Sequence, residues 1–370
     1  MRIIYLISKA VQSGPVNQAL NILKGMKMNG RVIATLVTID AEDVNNSWLQ
    51  RFLDADINIV QLNPNGIYSF MQCRNLLKDY IIDNKIDLIH SSGYRVNLLA
   101  MFMRKYVSIV STQRSHPQNI AELESPFTRK IKEFIYLRII KKLDCLVACS
   151  KSLQQEFKYD YGMQIEVVQN GVDVDFFYPS SLDEKATLRK ELNLPKSKVL
   201  YLVLGILEPR KNVSLVIKAA KLLKSNNICF IIVGTGKEEE MLKESIKKTD
   251  NVIFVGHTST PIDYLKACDC LLSTSLAEGL PNTVLEGLSC GLPCILSDIE
   301  PHRELIEGTQ AGVLFMNNNV DDLIDKLIQS MKWNISEKGQ KARSLVENNF
   351  SLKLLSNKYE EIYKKVKNKH

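Results

Sequence analysis

Short apolar runs rich in β-branched residues alternate with longer amphipathic stretches along nearly the whole chain. The first half carries RIIYLIS, RVIATLVTI, INIVQL, DLIHSS, VSIVST, CLVACS and IEVVQN; the second half carries KVLYLVLG, CFIIVG, VIFVG, CLLSTS, PCILSD and AGVLFM. Most are apolar at consecutive positions, as parallel strands covered on both faces must be. The stretches between them, such as NQALNILKGMKMN and SLVIKAAKLLKSN, are apolar at three- and four-residue spacing and predict helices. Strand, helix, strand in repetition specifies an α/β protein with parallel sheets.

Thirteen strands are too many for one comfortable sheet. QNGVDVDFFYPSS, with Asn-Gly, two aspartates and Pro179, punctuates the chain after the seventh run. The expectation is two doubly wound domains, 1–172 and 173–350. A last helix over 351–370, with a basic end, either packs on the second domain or returns to the first. In open parallel sheets ligands bind beyond the strands' carboxyl ends, so two such domains facing each other would hold a site in the cleft between them. A length of 370 residues with 45% hydrophobic and 24% charged residues suits two self-sufficient cores and excludes a disordered or fibrous chain. The net charge of +7 is too mild to argue for nucleic acid.

The eight cysteines sit mostly in apolar runs and lack the paired spacing of a zinc site. No secretory signal and no membrane-length apolar stretch is expected, which points to the cytoplasm.

Chemistry concentrates in STSLAEGLPNTVLEGLSCGLPCILSD. A strand ends, a Glu-Gly-Leu-Pro turn follows, and a helix is expected from about Asn282. Glu278 then lies beyond a strand end, at a helix N-terminus where free N–H groups and the dipole favour an anion. Glu286, eight residues on, lies about two helical turns further and points the same way. In LGILEPRKNVSLVIKAAKLL a strand ends at Gly205, and the following loop carries Arg210 and Lys211. Two adjacent cations at a strand end suit a pyrophosphate, Arg binding bidentately and Lys as a compact charge. FIIVGTGKEEE places Gly234 and Gly236 after another strand, and VGHTST places Gly256 after the next. A dinucleotide fingerprint would need a third glycine and a later acidic residue, so a dehydrogenase is disfavoured.

With these motifs in this order, the chain resembles the retaining, nucleotide-sugar-dependent glycosyltransferases of family four, the glycosyl transferases group one. Their GT-B fold has two Rossmann-like, doubly wound domains facing across a cleft. The resemblance spans essentially the full chain. It implies that Glu278 meets hydroxyls of the transferred sugar and Glu286 the nucleotide ribose. It also implies that Gly279, Leu280, Pro281, Asn282 and Thr283 lie against sugar and pyrophosphate, with Gly234 and Gly256 near the base. Arg210 and Lys211 would neutralise the leaving diphosphate, acting mainly on the transition state. The family's usual arginine after Gly205 is here Ile206, and Arg210 takes over that duty.

The first half would face the acceptor. Where the family has a Gly-Gly loop this chain has Ser13 and Gly14 before Pro15, and Gly14 either lets the backbone approach the donor phosphate or simply starts a helix. HSSGYR resembles the family's His-Ser-His-Gly segment, with Ser92 replacing the second histidine. The position of a reaction-centre histidine holds Arg114, which cannot act as a base and could instead bind an acceptor phosphate or the leaving group. His116 is either a proton acceptor or a structural loop residue. Asn170 and Asp173 fall in the family's Asn-Gly-Val-Asp segment, lining a cleft or shaping a turn.

Residues 101–142 hold nine Lys or Arg and three acidic residues. Their part 127–142 reads either as a basic amphipathic helix resting on an anionic membrane surface or as a packed helix with solvated lysines.

The function implied is a retaining hexosyl- or N-acetylhexosaminyl-transferase. It would move a sugar from a nucleoside-diphosphate donor to a saccharide or lipid-linked saccharide, in cell-surface polysaccharide synthesis. No metal or cofactor is expected and no nucleic acid. The expected place is the cytoplasm, at the inner face of the cell membrane if the basic helix binds it. The competing readings are a nucleotide-sugar epimerase of the same fold and a non-catalytic nucleotide-sugar-binding subunit.

Overall fold

The computed structural model describes residues 1–42, 47–62, 70–118, 126–223, 227–246 and 251–368. The last two residues of the basic tail and residues 224–226, at the end of a predicted helix, lie outside the described residues. The chain forms two compact units, Met1–Gly171 with Leu352–His370, and Val172–Ser351.

The first unit holds a seven-stranded sheet made of β1 (Arg2–Ile7), β2 (Ile33–Thr38), β3 (Asn58–Gln61), β4 (Leu88–Ser91), β5 (Ser108–Gln113), β6 (Cys145–Ala148) and β7 (Glu166–Val167). Its order is β3-β2-β1-β4-β5-β6-β7, and every pairing is parallel. The continuous apolar runs have the predicted cause. Ile3 and Tyr5 pack on one face against the helices Gly14–Asn29 and Leu352–Lys367, while Ile4 and Leu6 pack on the other against Leu77, Leu99 and Ile140. The terminal helix presents Leu352, Leu355, Tyr359, Ile362, Tyr363 and Val366 to that core, and its Glu360 accepts from Asn29 Nδ2 at 2.8 Å.

The second unit holds six strands, β8 (Val199–Leu204), β9 (Ile228–Val233), β10 (Val252–Gly256), β11 (Cys270–Ser273), β12 (Cys294–Ser297) and β13 (Gly312–Phe315), ordered β10-β9-β8-β11-β12-β13 and again all parallel. Leu200 and Leu202 face one helical layer, Tyr201 and Val203 the other.

In such sheets the ligand crevice opens where the strand order reverses, beyond the carboxyl ends. In the first unit that point lies between β1 and β4; in the second it lies between β8 and β11.

Candidate active site

The loops that leave β8 and β11 carry the residues the sequence singled out. After β8 the chain passes Gly205, makes a short 3-10 turn over Pro209–Lys211, and enters the helix Val213–Leu222 through Asn212 in the left-handed region (φ 50°). After β11 it passes Thr274 and Ser275 and starts the helix Asn282–Ser289. The two loops are bonded directly: Thr274 Oγ1 donates to the Lys211 carbonyl at 3.0 Å, and Leu276 N–H donates to that of Arg210 at 2.8 Å.

Glu278 is the centre of this crossing. Its Oε1 accepts from Lys211 Nζ at 2.6 Å and from Ser275 Oγ at 2.8 Å, while Oε2 accepts from Arg210 at 2.8 Å. Arg210 also holds Glu208 at 2.6 Å and the Ala277 carbonyl at 2.7 Å. Burial opposes the charged form of Glu278, but Lys211 and Arg210 outweigh it and hold the carboxyl down to about 2. Its contribution to stability is therefore full above the ordinary 4.5 and is lost as pH falls towards 2. This corrects the expectation that a helix N-terminus stabilises Glu278. The carboxylate sits four residues before the helix and is secured by two cations and a hydroxyl. Gly205, Lys211, Glu278, Pro281 and Thr283 line one pocket, floored by Leu271, Leu272 and Val284.

Leu280 and Pro281 are buried, and Asn282, Thr283 and Glu286 are half-buried at the start and middle of the following helix. Gly234 has a packing reason to be glycine: a Cβ there would lie 1.9 Å from the Gly205 carbonyl oxygen, so the loops after β8 and β9 touch backbone to backbone. Gly234 N–H in turn donates to the Gly256 carbonyl at 2.8 Å. Gly256 has left-handed backbone (φ 81°) at an irregularity in β10.

Sequence reasoning missed Ser275, Glu208 and His302. The first two are visible only as polar residues within three positions of Glu278 and Arg210. His302 is fully buried. Its Nδ1–H donates to the Ser297 carbonyl at 2.8 Å and Nε2 has no hydrogen-bond partner among the described residues. Burial lowers its pKa to about 4, so the ring is neutral above that.

In the first unit the expectations need revision. Ser13 caps the helix Gly14–Asn29, its side chain accepting from Val16 N–H at 3.4 Å. Gly14 is not among the glycines with left-handed backbone and opens the helix as its first residue. Of the two readings of His116 the geometry favours the structural one: Nε2–H donates to Asp160 at 2.9 Å, Nδ1 accepts from Gln118 N–H at 3.3 Å, and the ring stacks on Tyr161. With both nitrogens committed it has no lone pair to offer. Arg114 donates to Asn170 Oδ1 at 2.6 Å and to Tyr5 Oη at 3.4 Å. Asp173 Oδ1 accepts from the Asp175 and Phe176 amides and shapes a turn. Ser92 Oγ donates to the Thr112 carbonyl at 3.2 Å. Among the described residues no group of three or more His, Cys, Asp or Glu side chains is placed to hold a metal ion.

Comparison with known proteins bears on the family and the fold. Residues 184–350 match the model of the glycosyl transferases group 1, and residues 22–176 that of glycosyltransferase family 4. An Escherichia coli UDP-Gal:alpha-D-GlcNAc-diphosphoundecaprenol alpha-1,3-galactosyltransferase is 27% identical over 319 residues, covering 79% of this chain and 81% of that one. The E. coli O-antigen biosynthesis glycosyltransferase WclY is 26% identical over 371 residues, covering 98% of each. Among solved structures, Anabaena HepE in complex with UDP and glucose superposes with a TM-score of 0.83 at 17% identity, covering 99% of this chain and 100% of that one. The fold is GT-B, with two Rossmann-like units. Its two halves in order, its fold and its relatives together make the chain a glycosyltransferase of family 4, glycosyl transferases group 1.

Proposed function

We propose that the second unit holds a nucleoside-diphosphate sugar between the ends of β8 and β11, and that the enzyme transfers the sugar with retention to a hydroxyl of a saccharide or lipid-linked saccharide. The observation that carries this reading is the Glu278 carboxylate gripped by Lys211, Arg210 and Ser275 at the point where the sheet reverses. Lys211 and Arg210 turn to the diphosphate, and Glu278 takes the sugar hydroxyls. Glu286 binds the ribose, and the Gly279–Thr283 turn lies along the sugar and diphosphate. The bond from the anomeric carbon to the leaving phosphate breaks while the bond to the acceptor oxygen forms on the same face. The acceptor's proton passes to the departing phosphate oxygen, so no protein base is needed. The cations stabilise the charge that develops on the diphosphate, which is where fixed charge accelerates a transfer most. The same cations remove the need for a divalent metal.

The E. coli relatives act on a diphosphoundecaprenol-linked saccharide and in O-antigen synthesis by name, which supports a role in cell-surface polysaccharide assembly with a lipid-linked acceptor. The test is release of nucleoside diphosphate from a panel of nucleotide sugars in the presence of EDTA. Turnover with at least one, and retained configuration in the product, is the expected result. Tight binding without turnover would turn the reading to a binding subunit. Interconversion of two nucleotide sugars without transfer would turn it to an epimerase.

A membrane surface belongs to the same proposal. The helix Pro126–Ile140 buries Tyr136, Ile139 and Ile140, and exposes Phe127, Ile131, Phe134 and Ile135 beside Arg129, Lys130 and Arg138. An apolar stripe turned to solvent with cations at its margins suits an anionic lipid surface. Among the described residues no helix is long and apolar enough to cross a membrane. Vesicles containing phosphatidylglycerol should sediment the protein at low salt, and Ile131→Glu with Phe134→Glu should abolish this. Equal recovery with phosphatidylcholine vesicles, or no effect of the variant, would contradict it.

A further inference from the structure

Arg114 follows β5 directly, at the carboxyl edge of the first unit's sheet. Its hydrogen-bond acceptors, Asn170 Oδ1 and Tyr5 Oη, are both neutral, and its Nε is buried without a partner among the described residues. Among the described residues no carboxylate pairs with it. Two other arginines with charged partners differ. Arg189 is held by Asp269 at 2.6 Å, and Arg210 by Glu278 and Glu208. A guanidinium withdrawn from water normally carries its counter-charge with it, because the cost of desolvating an unpaired ion is several kcal/mol.

The groups around Arg114 are built to stay uncharged. His90 is fully buried, with Nδ1 on Tyr363 Oη at 2.6 Å and Nε2 on Thr112 Oγ1 at 2.7 Å. Burial, and then the charge of Arg114, keep that ring neutral, and Tyr359, 2.9 Å from Thr112 Oγ1, is likewise held protonated by burial. None of them supplies the missing negative charge. The framework is thus a neutral, hydrogen-bonded cage around one cation whose Nε–H is unspent among the described residues, at the carboxyl edge where parallel sheets receive ligands. Arginine also offers the fork geometry that matches a phosphate.

We infer that Arg114 is an anion-binding residue of the first unit, and that its partner is a phosphate group carried by the acceptor substrate. That the anion belongs to an acceptor rests on the transferase reading above; that Arg114 binds an anion does not. The consequence is a substrate class: acceptors joined to their carrier through phosphate are preferred to the same saccharide on a neutral carrier.

The experiment is a calorimetric titration of the full chain with inorganic pyrophosphate and, separately, with UDP. The wild type, Lys211→Ala, Arg114→Gln, Arg114→Lys and the Lys211→Ala Arg114→Gln pair are compared, with melting curves recorded for each. Pyrophosphate should still bind Lys211→Ala, and adding Arg114→Gln should weaken it at least tenfold. Arg114→Lys should fall between wild type and Arg114→Gln. UDP affinity in Arg114→Gln should stay within twofold of wild type. Pyrophosphate binding unchanged by Arg114→Gln in the Lys211→Ala background would overturn the anion site. A tenfold loss of UDP affinity in Arg114→Gln would overturn the acceptor assignment, since the anion would then be the donor's diphosphate. If UDP bound none of the proteins, the donor reading would fail, while the pyrophosphate arm would still decide the role of Arg114.

Discussion

Glu278→Gln is expected to lower kcat by about 10²–10³-fold while leaving affinity for the free nucleoside diphosphate unchanged or raised. The range is that seen when one fixed electrostatic contact to a transition state is removed. The two effects separate because Glu278 does two things. Its carboxylate occupies Lys211 at 2.6 Å and Arg210 at 2.8 Å, the cations that the proposed donor site assigns to the diphosphate. A neutral amide releases them, so the diphosphate no longer competes with a carboxylate. Sugar hydroxyls, in contrast, lose their anionic acceptor, and transfer suffers. Folding should weaken by about 1–2 kcal/mol, less than for a fully buried pair, because the Arg210 side chain is 36% exposed. Steady-state kinetics beside a nucleotide titration checks this. A parallel loss of kcat and of nucleotide affinity would mean that Glu278 only holds the loop in place.

The second large effect concerns the last helix. A chain that ends at Ser351 lacks Tyr359 and Tyr363, both fully buried, together with Leu352, Leu355, Ile362 and Val366 from the first unit's core. Truncating one large core side chain costs about 3–5 kcal/mol, and removing six exceeds the whole stability of about 5–15 kcal/mol typical of a domain. The loss also strands His90 and Thr112 without their tyrosine partners. The first unit should therefore fail to fold while the second, whose residues end at Ser351, keeps its structure. Hydrogen exchange read by mass spectrometry should show β1 and β4 unprotected and β8 and β9 protected. Protection of β1 equal to the full chain would contradict the account.

These two cases also show what the sequence could and could not disclose. All thirteen strands were legible, because a strand covered on both faces must be apolar at consecutive positions, as in β8 and β9. The site loops were legible because Arg-Lys and Glu-Gly-Leu-Pro each follow such a strand. The contact between them was not, since it joins residues 67 positions apart and depends on which strands become neighbours. The landing place of the terminal helix was hidden for a related reason. An amphipathic pattern marks which face is apolar, and leaves open what it packs against. His116 stayed open in the sequence because a histidine near a strand end looks the same whether its nitrogens are free or committed to Asp160 and a backbone amide. The neutral cage around Arg114 draws on β1, β4, β5 and the last helix, and no local spacing announces it.

The most direct measurement is a calorimetric titration of UDP, and then of other nucleoside diphosphates, into the wild type and Lys211→Ala. The account predicts one equivalent of one nucleotide bound by the wild type, and at least tenfold weaker binding by the variant. Absence of binding by every nucleoside diphosphate, or equal affinity in the two proteins, would contradict the assignment of the donor site to the loops after β8 and β11.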